Sequence, residues 1–458
     1  MFAFVLVHFL TLPTFVFIGG IQKRKDRPAN WFSNCPIRQN VIMKRIMSGR
    51  KFSRILRYLH VCPLFPDPEQ TYDPSYKVSE LLGYLQGRFA KLFIPGRQLS
   101  LDETLIRMFG RIKFKVRIIS KAARYGIKMY VLTDAVTAFV LHVVIYTGKS
   151  TYSESLNANE KKTVAVVKEL CKSIQGSHRT VYVDRFYTSL DLIKELHDMD
   201  IYITGTMMKN RIPKELTIAK SGREYKQLER GDIKRHVYTY RSKGKLCTAG
   251  LVCWKDRDII YCLSNESDTV SFDSCTRRTK DGLVTIRRPR SISDYNKYMG
   301  GVDLADMRRL HCNSTIMGQN RWWLKLFFYL LDVGTSNALV LHNFTRQTAM
   351  TVVDFKMCLV QGFLGDRMRP VPEAVVDHLP LRTDGRYRCV YCSLFNKMKR
   401  TRFRCNAQCC LLPLCSVGTG SNEQDCFILC HGNETIRQAA IAKFESMKKS
   451  YTTQNKSK

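Results

Sequence analysis

Apolar residues recur at helical intervals over roughly the first hundred positions and then change to alternating and continuous short runs. Between Met43 and His60, Phe52, Ile55, Leu56 and Leu59 share one face, Arg50, Lys51, Arg54 and Arg57 occupy the other, and Ser48 is placed to cap the helix. After a proline-rich turn, Val78, Leu81, Leu82, Leu85, Phe89 and Leu92 repeat at helical spacing up to Pro95-Gly96. From there QLSLDE, GIKMYVLTD and AFVLHVVIYTG read as three consecutive strands of one sheet. Val164–Ile174 reads as a helix, RTVYVD as a fourth strand and Leu190–Met199 as a second helix, which together predict a mixed α/β core.

The pattern changes again over 205–290. HVYTYRS, LCTAGLVCW and DIIYCLS are short strand-like pieces, followed by the basic run RRTKDGLVTIRRPR, so an inserted, mostly β segment is expected. Helical spacing resumes in SISDYNKYMGGVDLADMRRL and in NRWWLKLFFYLLDVGTSNALVLHNF, whose nearly continuous apolarity predicts burial on several sides. Asp332 within it is expected to be a paired core residue, not a catalyst. Residues 370–380 read as a linker, and the last residues, KKSYTTQNKSK, as a disordered tail.

The first twenty residues carry no Lys, Arg, Asp or Glu. Such a run fits a signal peptide, a membrane anchor or a buried helix. With no basic residue ahead of it and Pro13 inside it, the buried helix is favoured. A buried helix without a polar lead-in suggests a chain truncated at its N-terminus.

Three aspartates punctuate this pattern. Asp102 follows the alternating run Gln98–Leu101, and Asp184 ends the run Thr180–Val183, so both are expected near the C-terminal ends of core strands. Gly300-Gly301 precedes Asp303 and Asp306, which share a helix face at i, i+3. Hard divalent cations prefer carboxylate oxygens, and phosphodiester chemistry uses two such ions about 4 Å apart. Strand-end aspartates also cap turns or pair with lysines, so spacing alone leaves both readings open.

Charge narrows the choice. The chain has 74 Lys+Arg against 39 Asp+Glu, a net charge of +35, and a polyanionic partner is the simplest reason to sustain that self-repulsion. Of 17 cysteines, eight crowd between Cys389 and Cys430. The Cys389-Cys392 knuckle followed by Cys405, Cys409, Cys410, Cys415, Cys426 and His431 supplies enough ligands for two tetrahedral zinc ions, and zinc-held thiolates suit this basic setting better than disulfides.

The segments LSLDETLIRMFGR, YGIKMYVLTD, VYVDRFYTSLDL and YNKYMGGVDLADM resemble, in order and spacing, successive motifs of the piggyBac transposase family. The similarity runs from about Asn30 to the C-terminal cysteines. It implies an α/β, ribonuclease-H-like core of the DDE transposase and retroviral integrase type, with an inserted mostly-β domain, an N-terminal helical region and a C-terminal cross-brace zinc domain. The corresponding boundaries are 1–95 (helical, dimerisation and DNA binding), 96–204 and 291–369 (core), 205–290 (insertion), 370–384 (linker), 385–432 (zinc) and 433–458 (basic tail). By motif, Asp102, Asp184 and Asp303 match the catalytic triad, and Asp306 an acidic companion near two Mg2+ or Mn2+ ions.

The same resemblance implies metal-dependent cleavage and transfer of double-stranded DNA at transposon ends and TTAA targets by a nuclear homodimer, with neither membrane nor small-molecule substrate. Arg277, Arg278, Lys280, Arg287, Arg288 and Arg290 of the insertion, with Lys397, Lys399, Arg400, Arg402 and Arg404 of the cysteine-rich block, are the expected phosphate contacts. Arg185 and Met307 stand where the family usually has asparagine and glutamine. They motivate the alternative of a domesticated, catalytically inactive DNA- or chromatin-binding descendant. A secreted or membrane-anchored cysteine-rich protein is the weakest alternative.

Overall fold

The computed structural model describes residues 2–22, 41–62, 73–119, 124–148, 151, 161–212, 227–266, 269–280, 282–315, 321–346, 348–365, 380–405, 412–414, 426–431 and 433–454. They fall into two compact units, Met1–Leu364 and Gly365–Lys458.

The first unit is organised on a nine-stranded sheet. Its strands are β1 (Gln98–Arg107), β2 (Val116–Arg117), β3 (Tyr125–Asp134), β4 (Val140–Ile145), β5 (Thr180–Val183), β6 (Tyr202–Thr206), β7 (Ile233–Ser242), β8 (Lys245–Lys255) and β9 (Ile259–Ser264). Their order is β2-β3-β1-β5-β6-β9-β8-β7, with β4 also paired to β3. β1, β3 and β4 form an antiparallel meander, while β5 and β6 run parallel to β1 on its other side. Helices α5 (Lys162–Cys171) and α6 (Leu190–Asp198) make the crossovers such parallel pairing requires. Residues 205–290 do not stand apart as a domain: β7, β8 and β9 extend the same sheet, and the basic run folds as a separate two-stranded ribbon, β10 (Phe272–Thr279) with β11 (Gly282–Pro289).

The apolar start of the chain is helix α1 (Phe2–Ile21). Leu12, Phe15, Val16, Phe17 and Ile18 are buried in the main core. Each such side chain contributes about 1.5–3 kcal/mol, so this stretch behaves as a core helix. It packs on α3 (Gly49–Tyr58), with the Phe15 and Phe52 rings 5.3 Å apart, and on α10 (Val352–Leu364). Ser48 caps α3 as expected, accepting from the Lys51 N–H. Between these lie α2 (Val41–Ile46) and α4 (Tyr76–Leu92); Val78 and Phe89 of α4 are buried, but Leu92 at its end is exposed.

Helices α7 (Arg290–Tyr298), α8 (Gly301–His311) and α9 (Trp322–Thr345) complete the unit. By length and composition α9 could cross a membrane, yet 72% of its apolar window is buried inside the protein. Asp332 on α9 pairs with Lys356 of α10 at 2.8 Å and also accepts from the Ser314 N–H and hydroxyl. The expected core pairing is therefore present, with a partner that helical periodicity does not name.

The second unit holds a two-stranded sheet, β12 (Pro380–Arg388) with β13 (Arg400–Cys405), and helices α11 (Val390–Leu394), α12 (Cys426–His431) and α13 (Glu434–Gln454). The expected linker lies outside the described residues as far as position 379, and Pro380–Asp384 already belong to β12. The expected disordered tail is instead helical through Gln454. Ala440, Ile441 and Phe444 line one face of α13 against the buried cysteines, and that burial outweighs the polar composition of the helix end.

Candidate active site

Pairing between β1 and β5 ends at Leu101 opposite Val183. Asp102 and Asp184 are the next residues on these parallel neighbours, separated by roughly the 4.8 Å between adjacent strands. Asp102 is not at the end of its strand, as the alternating run suggested. β1 continues to Arg107, and Asp102 lies opposite Val131 of β3. It sits where β1 loses one of its two neighbours, which opens the sheet beside its carboxylate.

Alternation puts Ser100, Asp102 and Thr104 on one face of β1. Helix α8 is seated on that face at two points. At the first, Gly301 is so close that a Cβ would lie 2.6 Å from Thr133 Oγ1 and 2.9 Å from Ser100 Cβ, while the Ser100 hydroxyl donates to the Met299 carbonyl at 2.5 Å. At the second, the Thr104 hydroxyl donates to Asp306. Asp303 lies between these anchors in the first helical turn, where the N-terminal end of the helix dipole favours a carboxylate. The fold thus brings Asp102 and Asp184 side by side, both half-buried, and carries the exposed Asp303 over the same face of β1.

Asp306 is differently placed. Its Oδ1 accepts from Arg309 at 3.0 and 3.2 Å, and its Oδ2 accepts from Thr104. Arg309 is buried and stacked over Tyr329 at 4.9 Å. Asp306 is therefore held as part of the helix seat.

Two tyrosines near the aspartates escaped sequence reading. Tyr295 on α7 is pushed up to about 12, chiefly by burial, against the pull of its hydrogen bond with Thr206; the charges of Asp184 and Asp102 raise it further. It remains protonated beside both carboxylates at neutral pH. Tyr187, fully buried three residues after Asp184, donates to Glu103 at 2.9 Å and is driven well above the usual tyrosine range by burial, then by Glu103. Tyr187 stands in the motif around Asp184 and Tyr295 in the helical stretch before Asp303, but nothing local marks either as a neighbour of the carboxylates.

The basic residues divide. Arg277 pairs with Asp256 at 2.9 Å and stacks over Trp254, Arg288 forms a two-point pair with Asp273, and Arg290 pairs with Asp294. These three contribute to internal pairing. Arg278, Lys280 and Arg287 are exposed on the β10–β11 ribbon, Arg287 over the Phe272 ring at 3.6 Å. In the second unit Lys397, Lys399, Arg400 and Arg402 are exposed, whereas Arg404 is partly covered and stacks on Tyr387 at 4.4 Å.

Of the cysteines expected as ligands, Cys389, Cys392 and Cys426 are buried with their sulfurs within 4.8 Å of one another; among the described residues this is the one such grouping of potential metal ligands. The three aspartates are not gathered to that degree. Burial, reinforced by Cys389 and Cys392, pushes the Cys426 thiol up to about 12. Cys405 is buried outside this trio, as is Cys430. Cys409, Cys410 and Cys415 lie outside the described residues, as does the His431 side chain.

The Transposase IS4 family profile matches residues 14–339, and the chain belongs to that family. Within it the chain is of piggyBac type. It is 25% identical over 417 residues to human piggyBac transposable element-derived protein 3, covering 85% of this chain and 66% of the relative. The human chimeric ERCC6-PGBD3 protein gives the same identity and share of this chain, with 37% of its own length covered. The chain thus spans under two thirds of these relatives. A piggyBac transposase synaptic complex with hairpin DNA, solved by cryo-electron microscopy, shares the fold with a TM-score of 0.63 and 20% identity over 80% of this chain and 73% of that one.

Proposed function

We propose that this piggyBac-type protein is a metal-dependent DNA transposase that cuts transposon ends and joins them at TTAA targets. The observation that carries the reading is the side-by-side placement of Asp102 and Asp184 where β1–β5 pairing stops, with Asp303 delivered by a helix whose approach requires Gly301. The meander β4-β3-β1 followed by parallel β5 and β6 supports a ribonuclease-H-like core.

All three aspartates offer hard oxygen donors suited to Mg2+ or Mn2+, and Asp102, Asp184 and Asp303 would hold two such ions. Bound there, the ions would activate water or a 3'-hydroxyl and stabilise the leaving oxygen. Tyr295, kept protonated, can donate to a carboxylate or phosphate oxygen without adding negative charge. Exposed Arg278, Lys280, Arg287, Lys397, Lys399, Arg400 and Arg402 would take the phosphates of double-stranded DNA. Cys389, Cys392 and Cys426 fit a zinc centre with one ligand to be added from the remaining cysteines or His431, and zinc would relieve the mutual repulsion of their thiolates. Action as a nuclear homodimer completes the proposal.

A second reading is a domesticated DNA-binding protein that no longer cuts. It is favoured by the full engagement of Asp306 with Arg309 and Thr104, and by Arg185 next to Asp184. The test is Mg2+- or Mn2+-dependent nicking of a transposon-end duplex ending in TTAA, beside Asp184→Ala. Nicking by the wild type alone supports the transposase; binding without nicking by either supports the second reading.

A further inference from the structure

Asp102 and Asp184 sit on segments that a second set of contacts ties together on the opposite side of β1. Glu103 follows Asp102 and, by strand alternation, points to the other face. There its Oε2 accepts from the Tyr187 hydroxyl at 2.9 Å, and its Oε1 lies 3.8 Å from Lys128 Nζ. Tyr187 belongs to the tight turn after β5: its N–H and that of Thr188 both donate to the Asp184 carbonyl, at 2.9 and 3.3 Å, and the Thr188 hydroxyl adds a third bond at 3.1 Å. The backbone of Tyr187 is thereby tied to that of Asp184. The ring has no room to move, being fully buried with Tyr130 edge-on at 6.2 Å and Phe186 at 5.1 Å. Lys128 lies over the Tyr130 and Phe186 rings, 4.7 and 5.0 Å from their centroids.

We infer that Glu103, Tyr187 and Lys128 form a latch that fixes the Asp184 turn against the Asp102 strand, and that they are positioning residues for cations held by those two carboxylates. The inference rests on the metal-site reading above. A shared cation requires the carboxylates to keep one separation, and partners behind metal ligands govern affinity by holding them there. Without the latch the β1–β5 ladder ends at Leu101 and Val183, leaving both aspartates one residue beyond the last paired position.

The test is Mn2+ binding followed by the electron paramagnetic resonance signal of the free ion, on the full chain. Wild type is compared with Tyr187→Phe, which keeps the ring, with Glu103→Met, which keeps the side-chain length but offers no acceptor oxygen, with the double variant, and with Asp184→Ala. The site is the Mn2+ binding that Asp184→Ala abolishes. Tyr187→Phe is expected to weaken it by about ten-fold or more, Glu103→Met at least as much, and the double variant no further than Glu103→Met alone, because both substitutions remove the same hydrogen bond. Where the wild type nicks DNA, nicking by Tyr187→Phe is expected to recover at saturating Mn2+, which general destabilisation would not give. Unchanged affinity in Tyr187→Phe, or additive losses in the double variant, would overturn the latch while leaving the metal site standing. Absence of any Asp184-dependent Mn2+ binding in the wild type would overturn the site itself, and the latch with it.

Discussion

Lys356 and Asp332 offer a measurement that depends on no assumption about activity. The two side chains are 3% and 1% exposed and 2.8 Å apart. Lys356 also donates to the Cys312 carbonyl at 2.6 Å and lies over the Phe17 ring, while Asp332 holds the Ser314 N–H and hydroxyl. The pair therefore joins α1, α9, α10 and the chain leaving α8. Lys356→Met keeps most of the buried stem but strands the carboxylate with only two neutral donors. Removing one member of a buried pair costs about 3–5 kcal/mol, or roughly two to four powers of ten in the unfolding constant. Asp332→Asn in the same chain removes the stranded charge and keeps an acceptor for Ser314, so the double variant is expected to lose less than the sum of the single losses by about 1 kcal/mol or more. Urea unfolding followed by tryptophan fluorescence suits the purpose, because Trp322 and Trp323 lie on α9 with Asp332. A Lys356→Met loss below about 1 kcal/mol, typical of exposed pairs, would refute the argument; so would strict additivity.

Four further outcomes are expected. Gly301→Ala should cost about 1–3 kcal/mol by overpacking and abolish metal-dependent nicking, whereas Gly300→Ala, with nothing within 4 Å of its added Cβ, should leave both unchanged; equal melting curves for the two would contradict the seat of α8. Chelation of zinc, or Cys392→Ser, should lower the unfolding midpoint of the second unit, with metal analysis of the intact chain reporting the zinc lost. Replacing Arg278, Lys280 and Arg287 together by alanine should flatten the salt dependence of DNA binding by about 0.9 per phosphate contact removed, and an unchanged slope would take the ribbon off the DNA. Asp273 is held below the usual carboxylate range first by its hydrogen bond from Arg288, so its contribution is present above about pH 3.9 and is lost as pH falls through the lower folded value. Acid titration of the ribbon by nuclear magnetic resonance should show that loss in the wild type but not in Asp273→Asn.

Much of this architecture was legible because it follows from local chemistry. Ser48, the apolar face of α3, the alternation in β1 and the β-branched runs of β3 to β5 all depend on residues a few positions apart. Asp102 and Asp184 could be singled out as candidates because the runs and motifs around them are local too, although β1 continues past Asp102 to Arg107. What stayed hidden are the pairings across long intervals. Nothing in HVYTYRS or LCTAGLVCW says that β7 and β8 continue the central sheet; that is decided by β9 pairing with β6. Likewise Lys356 claims Asp332 and Tyr187 claims Glu103, each a choice among many available partners that only the assembled fold makes. The tail was misread because the helix that begins at Glu434, packed on the cysteine cluster through Ala440, Ile441 and Phe444, continues through Gln454.

The parallel pairing of β1 with β5 also bears on how the chain acquires its chemistry. Two strands side by side in parallel need a long crossover between them, and Asp303 follows Asp184 by a further 119 residues. Loop closure over such intervals is slow relative to helix and hairpin formation. During synthesis the residues of the meander, the crossovers and the rest of the sheet all leave the ribosome before Asp303 does. Until Gly301 docks on Ser100 the partial protein has a sheet but no complete acidic cluster. On the proposed reading of the three aspartates, a chain whose synthesis stops short of Gly301 holds only two of them, so topology alone keeps it from cutting.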